Sequence, residues 1–473
     1  MSISPRKKQQ LATFLGGLQG ATALKLFAAI EADRAAGGKG LPHDALLDSL
    51  RKQMLARGQR PPARKPDAKR LFFTPFEDFF IGAHGSSNRR IEIARPSLGP
   101  IWRLMMTDRA LADAALAAAA LDDALRGKGD PASLERALFF AAEAGLGRLC
   151  AVAEDNREAA SRLADALGGE GAFGDLKTLN RLLRGVEILK ALHRLVPSGA
   201  PSLSETQLYE LRALFLSAYG KSRRLGADLL LALKGRLEKP WRALAVYYHL
   251  DRSSDERLVA AGEQIALLKD SLIDDLEALA RALERDGAGA LEADTARLRI
   301  RYFADFADGL SKEAAKAGDT VFLKRIDACR DVAAEAFERF GELALAVLRE
   351  ATPTRQAGGS TRLMAQRPDI ARPLTPAAVE NACDAAGLIA ESAGLAERLG
   401  AEAAFAADIA RDAADRLTAY AKDLVVEIRA AEGEERRAAR RLLEHVLVMA
   451  AYLVESEEIE TIRDRAATAS LTV

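Results

Sequence analysis

Cysteine is scarce in this 473-residue chain, and its three cysteines, Cys150, Cys329 and Cys383, lie far apart. Isolated thiols in odd number form neither a disulfide framework nor a Cys-x-x-Cys motif. The cysteine pattern therefore favours a reducing, cytoplasmic location. A signal peptide within residues 1–23 is the alternative, and it is disfavoured because the apolar run there is short and its large residues recur at helical spacing.

The chain also lacks an excess of either charge, since 68 basic residues balance 68 acidic ones. No global field therefore favours nucleic acid or an anionic membrane as partner. The first 70 residues are nevertheless basic, with 14 Lys and Arg against 5 acidic residues. A long apolar run is missing as well: residues 445–454 form the nearest approach, about half of the roughly 20 residues that span a bilayer. We predict no transmembrane segment.

Sequence signatures of catalysis are missing. The five histidines occur singly, and neither Glu-x-x-His nor His-x-x-x-His is present. Gly169, Gly171 and Gly174 match G-x-G-x-x-G, but they follow a helical segment and not a strand, so they do not predict a dinucleotide site. We predict no catalytic residue, metal or cofactor. An active site whose groups meet only in space stays an alternative.

Capping residues indicate three helix starts: Asp130 with Pro131 as cap and first position, and the capping boxes Ser204 with Gln207 and Ser253 with Glu256.

Helical periodicity is abundant. Two long segments place apolar residues at steps of three and four, which is typical of antiparallel helices packed along a seam. The seams consist of Leu258, Ala261, Ile265, Leu268, Leu272, Leu276, Leu279 and Leu283, and of Phe322, Ile326, Cys329, Ala333, Ala336, Phe340, Leu343 and Val347. We predict an all-α protein, a multi-helix bundle of long antiparallel helices with coiled-coil-like seams, more than about 70% helical against a globular average near one third.

Composition divides the chain further. Residues 57–70 hold three prolines and six basic residues, and residues 351–375 are also rich in proline and glycine, which is typical of connecting segments. The predicted organisation is a small basic helical head (1–56), a linker (57–70), a main helical domain (71–350), a loop or linker (351–375) and C-terminal helical hairpins (376–473).

Aromatic residues make up only 5% of the chain, yet many of them gather between residues 70 and 102. Thr74, Pro75 and Glu77 are typical of a helix start, with Thr as N-cap and Pro at the first position. Large rings within this short window predict a packed structural anchor, because burying each one contributes roughly 1.5–3 kcal/mol. The anchor residues are Phe72, Phe76, Phe79, Phe80 and Trp102.

A basic segment follows the aromatic one. His84 opens a loop of small and polar residues, and Arg89, Arg90 and Arg95 come after it. Arginines beside free backbone N–H groups can bind a phosphate or a carboxylate. We predict an anion- or partner-binding site at residues 84–95. The alternative is that these arginines are solvated or paired with local acids.

The leading functional hypothesis is a cytoplasmic α-helical scaffold or adaptor that acts through protein–protein interaction, either with other proteins or as a homodimer. The first alternative is a helical enzyme or ligand-binding protein that uses the predicted anion site. The second is a nucleic-acid-associated regulator that uses the basic N-terminal head, although the balanced overall charge argues against nucleic acid as a partner.

Overall fold

The computed structural model describes residues 20–35, 66–82, 92–128, 130–287, 293–356 and 366–471, together with residues 43, 46, 47, 50, 51 and 54. Helices make up 84% of the structure, which confirms the predicted all-α class. Two compact units are distinguished by their internal packing. The first comprises Met1–Pro197 and Ala213–Gly235, and the second comprises Ser198–Arg212 and Arg236–Val473. The domain boundaries derived from composition stay a prediction.

Short helices build the first unit. They are α1 (Gly20–Ala35), α2 (Ala68–Phe73), α3 (Arg95–Thr107), α4 (Ala112–Asp123), α5 (Pro131–Asp155), α6 (Arg157–Leu167), α7 (Glu170–Leu183), α8 (Val186–Leu195), the last part of α9 (Glu205–Lys221) and α10 (Arg223–Arg236) up to Gly235. A minimal parallel pair, β1 (Phe80–Ile81) and β2 (Ile93–Ala94), lies beside them.

Helix boundaries in this unit follow from capping side chains. Asp130 accepts hydrogen bonds from the backbone N–H groups of Ala132 and Ser133, and Pro131 occupies the first position of α5, as predicted. The Ser204–Gln207 capping box, which begins α9 in the second unit, is likewise confirmed by its two reciprocal hydrogen bonds.

The predicted N-cap role of Thr74 is wrong, although a short helix does begin there with Pro75 in its first turn. Asp67 accepts the N–H of Arg70 and thereby begins α2 earlier, so that Phe72 lies inside a helix. The Thr74 hydroxyl donates to the carbonyl of Arg70 and caps nothing. Because Pro75 has no N–H to continue the α-helical ladder, the chain tightens into a 3₁₀ helix over Thr74–Phe79.

Longer helices build the second unit. They are the start of α9, α11 (Ala243–Asp251), α12 (Glu256–Ala260), α13 (Gly262–Asp286), α14 (Ala293–Ala317), α15 (Thr320–Glu350), α16 (Pro376–Ala390), α17 (Ser392–Leu399), α18 (Ala403–Ala430), α19 (Gly433–Ala450) and α20 (Ser456–Leu471). An antiparallel pair, β3 (Thr354–Gln356) and β4 (Gln366–Pro368), joins α15 to α16. Among the helices described, none combines the length and apolar character that crossing a membrane requires.

The predicted seams are correct in part. Leu276 and Phe340 are fully buried, but the next buried positions are Ala280 and Ala344, one residue beyond the predicted Leu279 and Leu343. A straight α-helix has 3.6 residues per turn, so its buried face drifts away from a strict seven-residue repeat. These helices pack across broad faces.

Asp319 links three helices of the second unit. Its carboxylate accepts hydrogen bonds from Lys269 on α13, from the Tyr248 hydroxyl on α11 at 3.0 Å and from the Phe322 N–H at the start of α15. Burial alone would raise the pKa of Asp319, but the hydrogen bonds from Lys269, the Phe322 N–H and Tyr248 lower that pKa below its usual value. Lys269 also lies over the rings of Tyr247 and Phe322.

A close approach at Gly309 gives the first testable prediction. A β-carbon there would overlap the indole of Trp241, whose ring packs 5.5 Å from that of Phe306. We expect Gly309→Ala to reduce the free energy of unfolding by about 1–3 kcal/mol, because the indole must move out of its packed position.

Gly174→Ala provides the matched control, to be measured by the same denaturant titration. Gly174 lies in α7 with open space around its missing side chain. Alanine there is expected to stabilise the fold by about 0.5–1 kcal/mol through its higher helix propensity. Equal effects at the two glycines would contradict the packing described for Trp241.

Candidate partner-binding surface

The predicted aromatic anchor forms a buried cluster. Phe72 is fully buried and its ring stacks on Phe139 of α5 at 5.5 Å, with interplanar angle 21°. The rings of Phe76 and Trp102 lie 6.2 and 5.7 Å from that of Phe72. Phe80 and Trp102 are only half-buried, so they belong to the edge of the cluster. The cluster joins the stretch around residue 72 to the middle of α5.

Two acidic side chains join the segment between residues 78 and 94 to neighbouring helices. Asp78 pairs with His193 of α8 through Oδ2 and Nε2 at 2.8 Å. Asp175 of α7, which is buried, accepts the backbone N–H of Ala94 at 3.1 Å. Both contacts join residues far apart in sequence, and Asp175 satisfies a backbone donor that burial would otherwise leave unpaired.

The predicted anion site is largely untested. His84, Arg89 and Arg90 lie outside the described residues. Arg95 is described: it is exposed at the first position of α3, and its guanidinium lies 5.7 Å from the centre of the Phe80 ring. The site at residues 84–95 therefore stays a prediction.

Helix α5 presents apolar residues on two opposite faces. Its inner face, which includes Leu138, Phe139 and Leu146, is buried in the first unit. An outer stripe runs along the other side, at steps of three and four residues, and its largest member, Phe140, is 76% exposed. The outer stripe of α5 consists of Ala137, Phe140, Ala144, Gly147 and Ala151, of which the alanines are exposed and the glycine is half-buried.

Helix α4, which packs against α5, carries a second apolar stripe. Leu116 is 70% exposed, and Ala112 and Ala119 are exposed on the same face at helical spacing. Single exposed apolar residues are ordinary on a protein surface, whereas a periodic apolar stripe on a helix that already buries its opposite face is typical of a binding surface.

A charged cleft of about 560 Å³ lies in the second unit between α14 and α17. Its charged groups bind one another. Arg301 pairs with Glu391 at 2.6 Å, and Arg398 pairs with Asp305 and with Asp308, the latter at 2.8 Å. Asp305 and Glu391, the two acidic residues that line the cleft, are already paired with arginines. The geometry therefore fits an ion-pair network that stabilises the packing of the helices.

Buried thiols supply no reactive group in these units. Cys329 is buried among the apolar residues of α15, as predicted, and burial raises the pKa of its thiol to about 11. Cys150 on the inner face of α5 is also buried, and burial raises the pKa of its thiol. A nucleophilic cysteine requires a lowered pKa, so these thiols are packing residues.

The sequence contained the signal for the outer stripe of α5, although our prediction of the site concentrated on residues 84–95. Between residues 137 and 151 the chain has apolar or small residues at two separate helical phases, which indicates a helix that is apolar on both sides. Comparison with protein-family models, curated proteins and solved structures finds no match to this chain.

Proposed function

We propose that this chain is a cytoplasmic helical scaffold that acts by binding other protein chains, and that the outer stripe of α5 is its principal contact surface. The observation that supports this proposal is the exposure of Phe140 in the middle of the stripe. Aromatic residues in the centre of an interface contribute a large share of its binding energy, and burying this ring contributes roughly 1.5–3 kcal/mol.

The surroundings of Phe140 favour a helical partner. Ala137 and Ala144 lie one turn before and one turn after it on the same face. Small side chains on both sides of a large one let a second helix approach closely while the ring fills a gap in the partner. A flat or polar surface would offer no such gap.

The experiment is affinity capture by the full-length protein and by its Phe140→Asp variant. We expect the variant to keep the melting temperature of the wild type, because Phe140 does not pack in the core. Bound proteins identified by mass spectrometry should fall by a factor of about 30 or more, the fold-change that corresponds to losing ~2 kcal/mol at the centre of an interface.

Val321→Asp is the matched control, since Val321 is 72% exposed on α15, in the second unit. It introduces the same charge and should leave capture unchanged. Partners retained by Phe140→Asp would contradict the proposal, and so would partners lost equally by both variants. Salt-sensitive binding of labelled DNA or RNA by the wild type, abolished by neutralising the basic residues between 57 and 70, would instead favour the nucleic-acid hypothesis.

A further inference from the structure

On the basis of the proposed function, we infer that the outer stripe of α5 binds the same stripe of a second copy of this chain, with the two helices antiparallel and Ala144 packed against Ala144 of the other copy. The stripe extends over 15 residues, from Ala137 to Ala151, which is about 21 Å of helix at 1.5 Å per residue.

The order of residues along the stripe is compatible with an antiparallel pair. When Ala144 lies on the symmetry axis, Ala137 of one copy lies opposite Ala151 of the other. Phe140 is then level with residue 148 of the other copy, and Gly147, about 1.5 Å away along the axis and on the same side of the stripe, is its nearest stripe residue. The one large residue of each stripe thus lies beside the smallest residue of its partner. The large-against-small pairing occurs twice in the dimer because the symmetry repeats it. A parallel pair in register would instead place Phe140 against Phe140 and the small residues against one another.

Charge selects the same orientation. Arg136 and Glu154 are exposed near opposite ends of α5, and both lie on the same edge of the stripe, about 60° from its centre at 100° per residue. In the antiparallel pair, Arg136 of one copy lies opposite residues 151–152 of the other, within about one helical turn of Glu154. Each copy thus supplies one cation and one anion, and two equivalent ion pairs form. In a parallel pair related by a two-fold axis, this edge of one copy and the same edge of the other lie on opposite sides of the contact, so these ion pairs do not form.

No salt bridge joins Arg136 or Glu154 to another described residue, whereas Glu135, on the other side of the helix, pairs with Lys190 at 3.1 Å. Arg148, at the opposite edge of the stripe, donates to the carbonyl of Ala110. Of these charged groups on α5, Arg136 and Glu154 are the two that the proposed contact would use.

Sedimentation velocity over a wide range of protein concentration tests the inference. The wild type should form a dimer as concentration rises. Phe140→Asp should weaken self-association by a factor of about 30 or more. Arg136→Glu and Glu154→Arg should each weaken it about tenfold, because each change places like charges at two equivalent positions.

The double variant, Arg136→Glu with Glu154→Arg, distinguishes a specific ion pair from a general effect of charge. It restores opposite charges across the interface and should return the dissociation constant to within about threefold of the wild type. Arg194→Glu, a reversal of an exposed arginine on α8, is the control and should change nothing.

A wild type that keeps the mass of a monomer at every concentration would overturn the inference. So would a double variant that stays as weak as the two single variants while melting at the wild-type temperature. The proposed function is tested separately, by affinity capture. If the protein is a monomer but loses its captured partners in the Phe140→Asp variant, it is a scaffold for other proteins. If it is a monomer and the variant keeps those partners, it is not a scaffold that uses this surface.

Discussion

Replacing Phe72 with alanine is expected to lower the free energy of unfolding by about 3–5 kcal/mol, because the cavity left by a buried ring adds to the lost burial. Phe72 is fully buried and has four aromatic neighbours, Phe73, Phe76, Trp102 and Phe139, with ring centres 5.1–6.2 Å away. No rearrangement of one neighbour can fill that space. Denaturant titration followed by circular dichroism measures the change.

Phe140→Ala is the control for this experiment. Phe140 follows Phe139 in α5 but is 76% exposed, so its truncation should change stability by no more than about 0.5 kcal/mol. Phe80→Ala should have an intermediate effect because Phe80 is only half-buried. A loss at Phe72 no larger than that at Phe80 would contradict the assignment of Phe72 to the centre of the cluster.

Replacing Arg181 with methionine is expected to destabilise the fold by about 3–5 kcal/mol at pH 7, because it leaves a buried carboxylate without its counter-charge. Asp228 of α10 has no exposed surface, and its Oδ2 lies 3.1 Å from Nε of Arg181 on α7. Burial already raises the pKa of Asp228 above its usual value near 3.8, although Arg181 opposes that shift. Without Arg181 the pKa should rise further.

The pH dependence of this variant has a definite sign. A carboxyl group whose pKa is higher in the folded state binds its proton more tightly there, so it favours folding below pH 3.8. That contribution is lost as the pH rises through the raised pKa. We therefore expect the gap in stability between Arg181→Met and the wild type to narrow as the pH is lowered from about 7 to about 5.

Adding Asp228→Leu to Arg181→Met gives the matched control. Well-packed apolar residues of similar volume commonly replace a buried ion pair with little cost. The double variant should recover most of the lost stability. Its difference in stability from the wild type should also no longer narrow as the pH is lowered. An Arg181→Met variant as stable as the wild type at every pH between about 5 and 8 would show that Asp228 does not require its counter-charge.

The sequence predicted those features that depend on short-range chemistry. Asp130 with Pro131 and Ser204 with Gln207 begin helices as expected, because a cap satisfies its own backbone within three residues. Ser253 fails as a cap: its hydroxyl accepts the N–H of Asp255, and Asp255 itself caps α12. When two capping residues stand close together, local spacing does not decide between them.

Longer-range contacts were not predictable from one sequence. The pairing of Asp78 with His193 joins residues 115 positions apart, and that of Arg181 with Asp228 joins residues 47 positions apart. Each depends on how whole helices pack, and helical periodicity gives only the apolar face of each helix. The outer stripe of α5 is readable as a pattern in the sequence, but its exposure depends on which face of α5 packs in the core, and that face is the one with Phe139.

The division of the chain into two units restricts how it can be cut. Because the first unit takes its last helix from Ala213–Gly235, after the chain has entered the second at Ser198, neither unit is one uninterrupted stretch of polypeptide. A fragment that ends at Pro197 would retain Arg181 but lack Asp228, and Gly185 would lose the side chain of Leu225 that covers it. A single proteolytic nick or stop codon would therefore release neither unit with all of its helices.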